Sequence, residues 1–233
     1  PMPGSASDGQ RLVYLNADTP GASPVVQSAR AMLMERLRAL RPSTRDLERL
    51  SPINGNRVLY QFEDSACNAF LYLFLSSLRR ELPEVDDLVR GFTRGGDLRL
   101  LGSQFVVGRF NQYNSYTVKE QQPHRDTEAG LSVLNVAIHL NGVMNTLVDV
   151  DADESDWNPK RANTSMFLMD AATMHAGPAA SVEAPRDGST VFDTNRVFFM
   201  LTSADTVGST LDRLRADNGL TSPGQEFVMP WFY

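Results

Sequence analysis

The sequence predicts a mainly β domain preceded by a mixed, helix-rich N-terminal part. Two observations carry that expectation. Up to about residue 97 the apolar residues recur at helical spacing in two long runs. From Leu98 onward they gather into short runs rich in Val, Leu, Phe and Met, separated by turn residues. Several short strands in succession point to a sandwich or barrel rather than a parallel α/β sheet.

In chain order, Arg11–Leu15 is a short strand candidate. Val25–Arg41 is a helix, with Val25, Val26, Ala29, Leu33, Leu37 and Leu40 on its apolar face and Pro42 ending it. Arg57–Phe62 is strand-like. Asp64 or Ser65 caps a second helix running to about Leu82, where Pro83 follows. That helix is apolar almost all round, which predicts burial. The segment Gly91–Gly96 then reads as the loop closing the helical part. Beyond it, Leu98–Phe110, Leu131–Leu140, Thr146–Val150, Thr164–Met169 and Arg196–Thr202 are the strand candidates. Ser209–Asn218 is a late helix, with Ser209 as its cap and Gly219 just past its end. The aromatic tail, Phe227, Trp231, Phe232 and Tyr233, is expected to pack on the parent domain. The organisation that follows is a support region, residues 1–97, packed on a core, residues 98–233, in one domain overall.

Composition narrows the function. The chain is 42% hydrophobic over 233 residues, enough for a substantial core. Its net charge of −6 argues against general nucleic-acid or anionic-membrane binding. A single cysteine, Cys67, excludes an internal disulfide framework and a cysteine-built zinc site, and makes a cytoplasmic location the expectation. No signal-type segment is visible. The longest apolar stretch, Ala66–Leu75, is broken by Asn68 and is far shorter than the ~20 residues of a membrane span. The sequence contains no GxGxxG, no GxxxxGK[ST], no GxSxG, no CxxC and no HExxH.

The three histidines narrow the chemistry further. His124 and Asp126 stand two positions apart, so on an extended chain both project to one side. His175 comes 49 residues after Asp126. HxD with a distant His is the pattern of the 2-His-1-carboxylate facial triad, which leaves three positions of an Fe(II) ion open. By the same period of two, Asn135, Ala137 and His139 share a face, and so do Arg196, Phe198 and Met200. The run from Asp149 to Asp156 lacks the Gly and Glu of an EF-hand loop and reads as a solvated acidic loop, or as a rim attracting a cationic substrate.

From about Phe105 to Ser203 the chain resembles the Fe(II)/2-oxoglutarate-dependent oxygenases, most closely their prolyl-4-hydroxylase-like branch. The resemblance rests on the strand Phe105 to Tyr113 leading into His124-Arg125-Asp126, and on Ile138-His139-Leu140-Asn141 closing the next strand. It continues through Thr146-Leu147-Val148, Pro159-Lys160-Arg161, His175-Ala176-Gly177-Pro178, and Asn195-Arg196-Val197-Phe198-Phe199.

The resemblance implies a double-stranded β-helix (jelly-roll, cupin-like) core. It implies Fe(II) held by His124, Asp126 and His175, with 2-oxoglutarate and O2 as cosubstrates. Arg196 would then pair with the far carboxylate of 2-oxoglutarate, with Arg186 and Arg109 as alternatives, because Arg196 lies 21 residues after His175, farther than is usual in the family. His139, Tyr113 and Asn111 would be further cosubstrate contacts. The implied reaction is hydroxylation of a C–H bond with release of succinate and CO2. Asp126 argues against halogenation, while desaturation and ring closure share the same ligand set. The expected substrate is a small molecule, an amino acid or a natural-product intermediate. A peptidyl or prolyl substrate is the alternative within the class. A cupin-like metal enzyme without 2-oxoglutarate and a non-catalytic β-sandwich binding module are the alternatives outside it.

Overall fold

A computed structural model describes residues 12–15, 23–40, 57–62, 65–93, 96–108, 116–118, 121–127, 133–140, 144–149, 156–158, 160–164, 166–177, 180–182, 196–218, 220 and 227–229. The elements in order are β1 (Leu12–Leu15), α1 (Ser23–Leu40), β2 (Arg57–Phe62), α2 (Ser65–Glu81), α3 (Pro83–Thr93), β3 (Leu98–Gly108), β4 (Tyr116–Val118), β5 (Leu134–His139) and β6 (Met144–Asp149). They continue with β7 (Lys160–Thr164), β8 (Met166–Asp170), β9 (Met174–Ala176), β10 (Ala180–Val182), β11 (Arg196–Ser203), α4 (Gly208–Asp217) and β12 (Phe227–Met229).

Every strand pairing is antiparallel. A seven-stranded sheet runs β1-β8-β5-β11-β3-β12, with β2 also paired to β3. A three-stranded sheet runs β7-β6-β9, and β4 pairs with β10. The first strands of the chain therefore join the same large sheet as the later ones: Leu12 lies opposite Met169, and Tyr60 opposite Phe105.

Strand alternation gives the large sheet two working faces. The outer face carries Phe105, Val136, Ile138, Leu168, Val197 and Phe199, all buried against the helices. The covering residues are Ala29 and Leu33 of α1, Leu71, Phe74, Leu75 and Leu78 of α2, and Val85 and Val89 of α3. Phe62 stacks on Phe105 at 4.4 Å between ring centroids, which ties β2 into this layer. The inner face carries Ala137, Phe167, Met169 and Phe198, which pack against Val148 of the small sheet. A register shift of the β3–β11 pair at Leu101 turns that side chain into a third cluster with Leu214 and Leu220, which seats α4. Gly102 permits this: a Cβ there would come within 2.6 Å of Leu220 Cδ2.

The structure corrects several expectations. Pro83 does not only end α2; it is the first residue of a new helix, a position where its missing N–H is harmless and its fixed φ suits the helix. Gly91 accordingly lies inside α3 rather than in a loop. The second helix is one-sided rather than wholly buried, since Leu73 is 64% exposed. The run Thr164–Met169 is split between β7 and β8, which belong to different sheets. Residue 207, not Ser209, caps α4, and no side chain makes the capping bond. At the other end the Asn218 amide donates to Leu214 O at 2.8 Å. Asn111, Tyr113, Arg109, Arg186, Trp231, Phe232, Tyr233 and most of the acidic run 149–156 lie outside the described residues. Among the described residues, no helix is long and apolar enough to cross a membrane.

Since Leu75 is fully buried where α2 meets the sheet, Leu75→Ala should lower stability by roughly 2–5 kcal/mol. Urea unfolding followed by far-UV circular dichroism would measure it.

Candidate metal centre

The segment 121–127 crosses the inner side of the fold beside β9. Its backbone is held at two points. His124 N donates to His175 O at 2.9 Å and His175 N donates back to His124 O at 3.0 Å, a two-way antiparallel exchange. Asp126 N donates to Ala171 O at 2.9 Å. Gln121 adds a third tether, because Gly177 N donates to its Oε1 at 2.9 Å. These bonds bring two stretches far apart in sequence side by side.

The three side chains then converge. His175 Nε2 is 3.5 Å from Asp126 Oδ2, and His124 Nε2 is 3.7 Å from Asp126 Oδ1. The imidazole centroids are 4.5 Å apart. One donor atom from each of the three lies within 4.8 Å of the others, close enough to share a metal ion.

Both imidazoles are oriented by the backbone. His124 Nδ1 is 2.8 Å from Gln122 O, and His175 Nδ1 is 3.0 Å from Thr173 O. A carbonyl oxygen only accepts, so each Nδ1 carries a proton, and in the neutral ring the lone pair is on Nε2. That is the tautomer a metal ligand needs, fixed by the bond on the other nitrogen. Burial lowers the pKa of His175 below its ordinary value. The Asp126 carboxylate opposes that shift, and His124 adds to it. Two imidazoles and one carboxylate on one face fit an open non-haem Fe(II) site.

The triad lines a cavity of about 340 Å³, with Gln104, Val106, Arg125, Asn135, Arg196 and Phe198 among the other walls. Asn135 Nδ2 donates to Asp126 Oδ2 at 2.6 Å. Arg125, between the two HxD ligands, donates through Nη1 to Ala172 O at 2.8 Å. Asp217 and Asn218, at the end of α4, also line it, and Gln104 Nε2 donates to Asn218 O at 3.1 Å.

Arg196 is buried at the start of β11, directly opposite His139 on β5. Its guanidinium carbon lies 5.2 Å from the centre of the Phe198 ring, a cation–π contact that holds the planar group in place. His139 is fully buried beside Phe167, and neither ring nitrogen has a hydrogen-bond partner among the described residues. Burial foremost, with Arg196 and Arg30 adding to it, lowers its pKa from 6.5 to about 3.

The structure thus brings His124, Asp126, His175 and Arg196 around one cavity. His139 sits on the same face, beside Arg196 but not in the cavity wall. Sequence reasoning assigned no role to Gln104, Gln121, Arg125 or the end of α4, and it missed the bond from Asn135 to Asp126. The one available signal was an Asn within the apolar strand Leu134-Asn135-Val136. Asp149, at the start of the acidic run, accepts a bond from Asn158 N at 2.9 Å.

No family model and no curated protein matches this chain. Among solved structures it is similar to HygX from Streptomyces hygroscopicus with nickel and 2-oxoglutarate bound. That protein is 12% identical, over 86% of this chain and 85% of HygX, with a TM-score of 0.47. It is similar to the viral collagen prolyl hydroxylase vCPH from Paramecium Bursaria Chlorella virus-1 in complex with 2OG, at 10% identity over 84% of this chain and 98% of that one, with a TM-score of 0.42. It is also similar to SnoK, a non-heme alpha-ketoglutarate-dependent carbocyclase from nogalamycin biosynthesis, at 13% identity over 97% and 90% of the two chains, with a TM-score of 0.45.

His139 sets a pH dependence. Below pH 6.5 the unfolded chain takes up a proton at this position, while the folded chain stays neutral until about pH 3. Stability therefore falls as pH drops through that window, by up to about 1.4 kcal/mol per pH unit from this group. Urea unfolding at pH 7, 6 and 5 should show stability falling with pH in the native chain and a shallower fall in His139→Leu, where the buried His175 still contributes.

Proposed function

We propose that this chain is an Fe(II)- and 2-oxoglutarate-dependent oxygenase hydroxylating an unactivated C–H bond of a small molecule, an amino acid or a natural-product intermediate. The carrying observation is the convergence of two imidazole Nε2 atoms and one carboxylate on a cavity whose wall also holds a buried arginine. The two-layered antiparallel arrangement around that cavity supports a double-stranded β-helix reading, with the helices of residues 1–97 as its support and β1 and β2 extending its large sheet.

His124, Asp126 and His175 would hold the metal, and Arg196 would pair with the far carboxylate of 2-oxoglutarate. Bound there with O2, the iron and its cosubstrate supply the oxidising power for C–H cleavage, with succinate and CO2 as coproducts. The chain's own residues do the rest. Backbone carbonyls keep both Nε2 lone pairs available. Burial of His175 favours its neutral form, so protons compete less with the metal.

Arg196 lies four strand residues from the Asn135 level, about 13 Å of extended backbone. A long arginine reaching back over Phe198 leaves room for a short dicarboxylate between guanidinium and triad. His139 is proposed as a cosubstrate contact on the sequence resemblance alone; in the fold it stands opposite Arg196 and does not line the cavity. Tyr113 and Asn111 are further proposed cosubstrate contacts on the sequence resemblance. The cavity lies at the lower end of the range for ligand pockets, about 300–1,000 Å³, which favours a small substrate over a peptide. The single, buried, free cysteine supports a cytoplasmic setting as part of this proposal.

An anaerobic titration tests this reading. Fe(II) followed by 2-oxoglutarate should produce a visible metal-to-ligand charge-transfer band that requires both additions. Asp126→Ala and His175→Ala should lose the band and succinate formation. Full succinate formation by Asp126→Ala overturns the triad, and iron binding without the band points instead to a cupin-like enzyme that does not use 2-oxoglutarate.

Arg196→Ala should weaken 2-oxoglutarate binding by about 30-fold or more, as expected for removing one partner of a buried charge pair worth roughly 2–5 kcal/mol. Arg196→Lys should retain part of the affinity. Binding measured by the amplitude of the same band checks both.

A further inference from the structure

Asn135 occupies a position where an apolar side chain would be expected. It is 1% exposed, the second residue of β5, the strand between β8 and β11 in the large sheet. Its neighbours across the two ladders are Met169 and Met200. Each of the other residues from Leu134 to Ile138 is aliphatic and fully buried. Against that background the amide makes one bond, from Nδ2 to Asp126 Oδ2 at 2.6 Å. The acceptor is a carboxylate, so the nitrogen must be the atom facing it. The amide oxygen, Oδ1, is buried with no hydrogen-bond partner among the described residues. A buried amide left half satisfied is unfavourable, and its presence calls for a compensating role.

We infer that Asn135 is a positioning residue that clamps the Asp126 carboxylate so that it presents a single oxygen to the metal. This rests on the metal site proposed above and adds a residue to it. A carboxylate on a connecting segment can rotate. With both oxygens on the metal it would take a second coordination position and reduce the open ones from three to two. The Asn135 bond engages Oδ2 and fixes the carboxylate plane, leaving Oδ1 unencumbered on the His124 side. The backbone of Asp126 is tied to Ala171, but its side chain gets its orientation from the centre of the sheet. Partners in contact with a metal ligand commonly set metal affinity in this way.

Two variants keep the test independent of folding. Asn135→Ala removes the amide, and Asn135→Leu replaces it with a side chain suited to the neighbouring Met169 and Met200. The readouts are Co(II) affinity and the Co(II) d–d absorption spectrum of the folded protein, together with the melting temperature of the metal-free protein. Both variants should bind Co(II) about 10- to 100-fold more weakly, with altered d–d bands, while the metal-free melting temperature is unchanged or higher. Native affinity and native bands in either folded variant overturn the inference, as does a lowered metal-free melting temperature with Co(II) affinity untouched. Failure of the unsubstituted protein to bind Co(II) or Fe(II) overturns the metal site itself, and that result is distinct from the others.

Discussion

Two backbone hydrogen bonds between His124 and His175 hold together segments 51 residues apart in the sequence. Because the exchange is reciprocal, it fixes relative register as well as proximity: neither histidine can slide along the other without breaking both bonds. Everything that makes the centre a centre depends on it. The Nε2 atoms reach the Asp126 carboxylate at 3.5 and 3.7 Å because the two backbones are already docked. The Nδ1 contacts to Gln122 O and Thr173 O then select the tautomer. Three side chains able to share a metal ion become a preorganised set through main-chain bonds that no substitution of side chains removes directly.

The large sheet supplies the stiffness behind that docking. Its outer face is sealed by α1, α2 and α3, so the alternate residues of the same strands are free to line a cavity. Residues adjacent in sequence consequently do opposite jobs. Val197 and Phe199 are buried under the helices, while Arg196 and Phe198 face inward. Placing a guanidinium and a neutral imidazole opposite each other in this interior is energetically demanding. The depressed pKa of His139 is one trace of that demand, and the Phe198 contact of Arg196 offsets part of it.

Much of the element order was legible in the sequence, because it follows local rules. Period-two alternation in Arg196–Ser203 and helical spacing in Ser23–Leu40 survive any tertiary arrangement. The errors fall where a local signal had two readings. Pro83 ends one helix and opens another, since its ring is compatible with both positions. The apolar run around Ser165 looked continuous, yet the chain changes sheets there. Leu73 looked buried because composition does not tell which side of a helix meets a neighbour.

By itself, the sequence determined the donor types and their local geometry: His124 and Asp126 on one side of an extended segment, a third histidine beyond, and an arginine on an inward strand face. Those are properties of bond angles and strand period, so they are readable one residue at a time. Only the tertiary structure decided that Asn135 bonds Asp126, that His139 stands opposite Arg196, and that the end of α4 lines the cavity. These are contacts between segments whose separation along the chain carries no information about their distance in space. They are set by sheet register and by the closure of two layers over a common core.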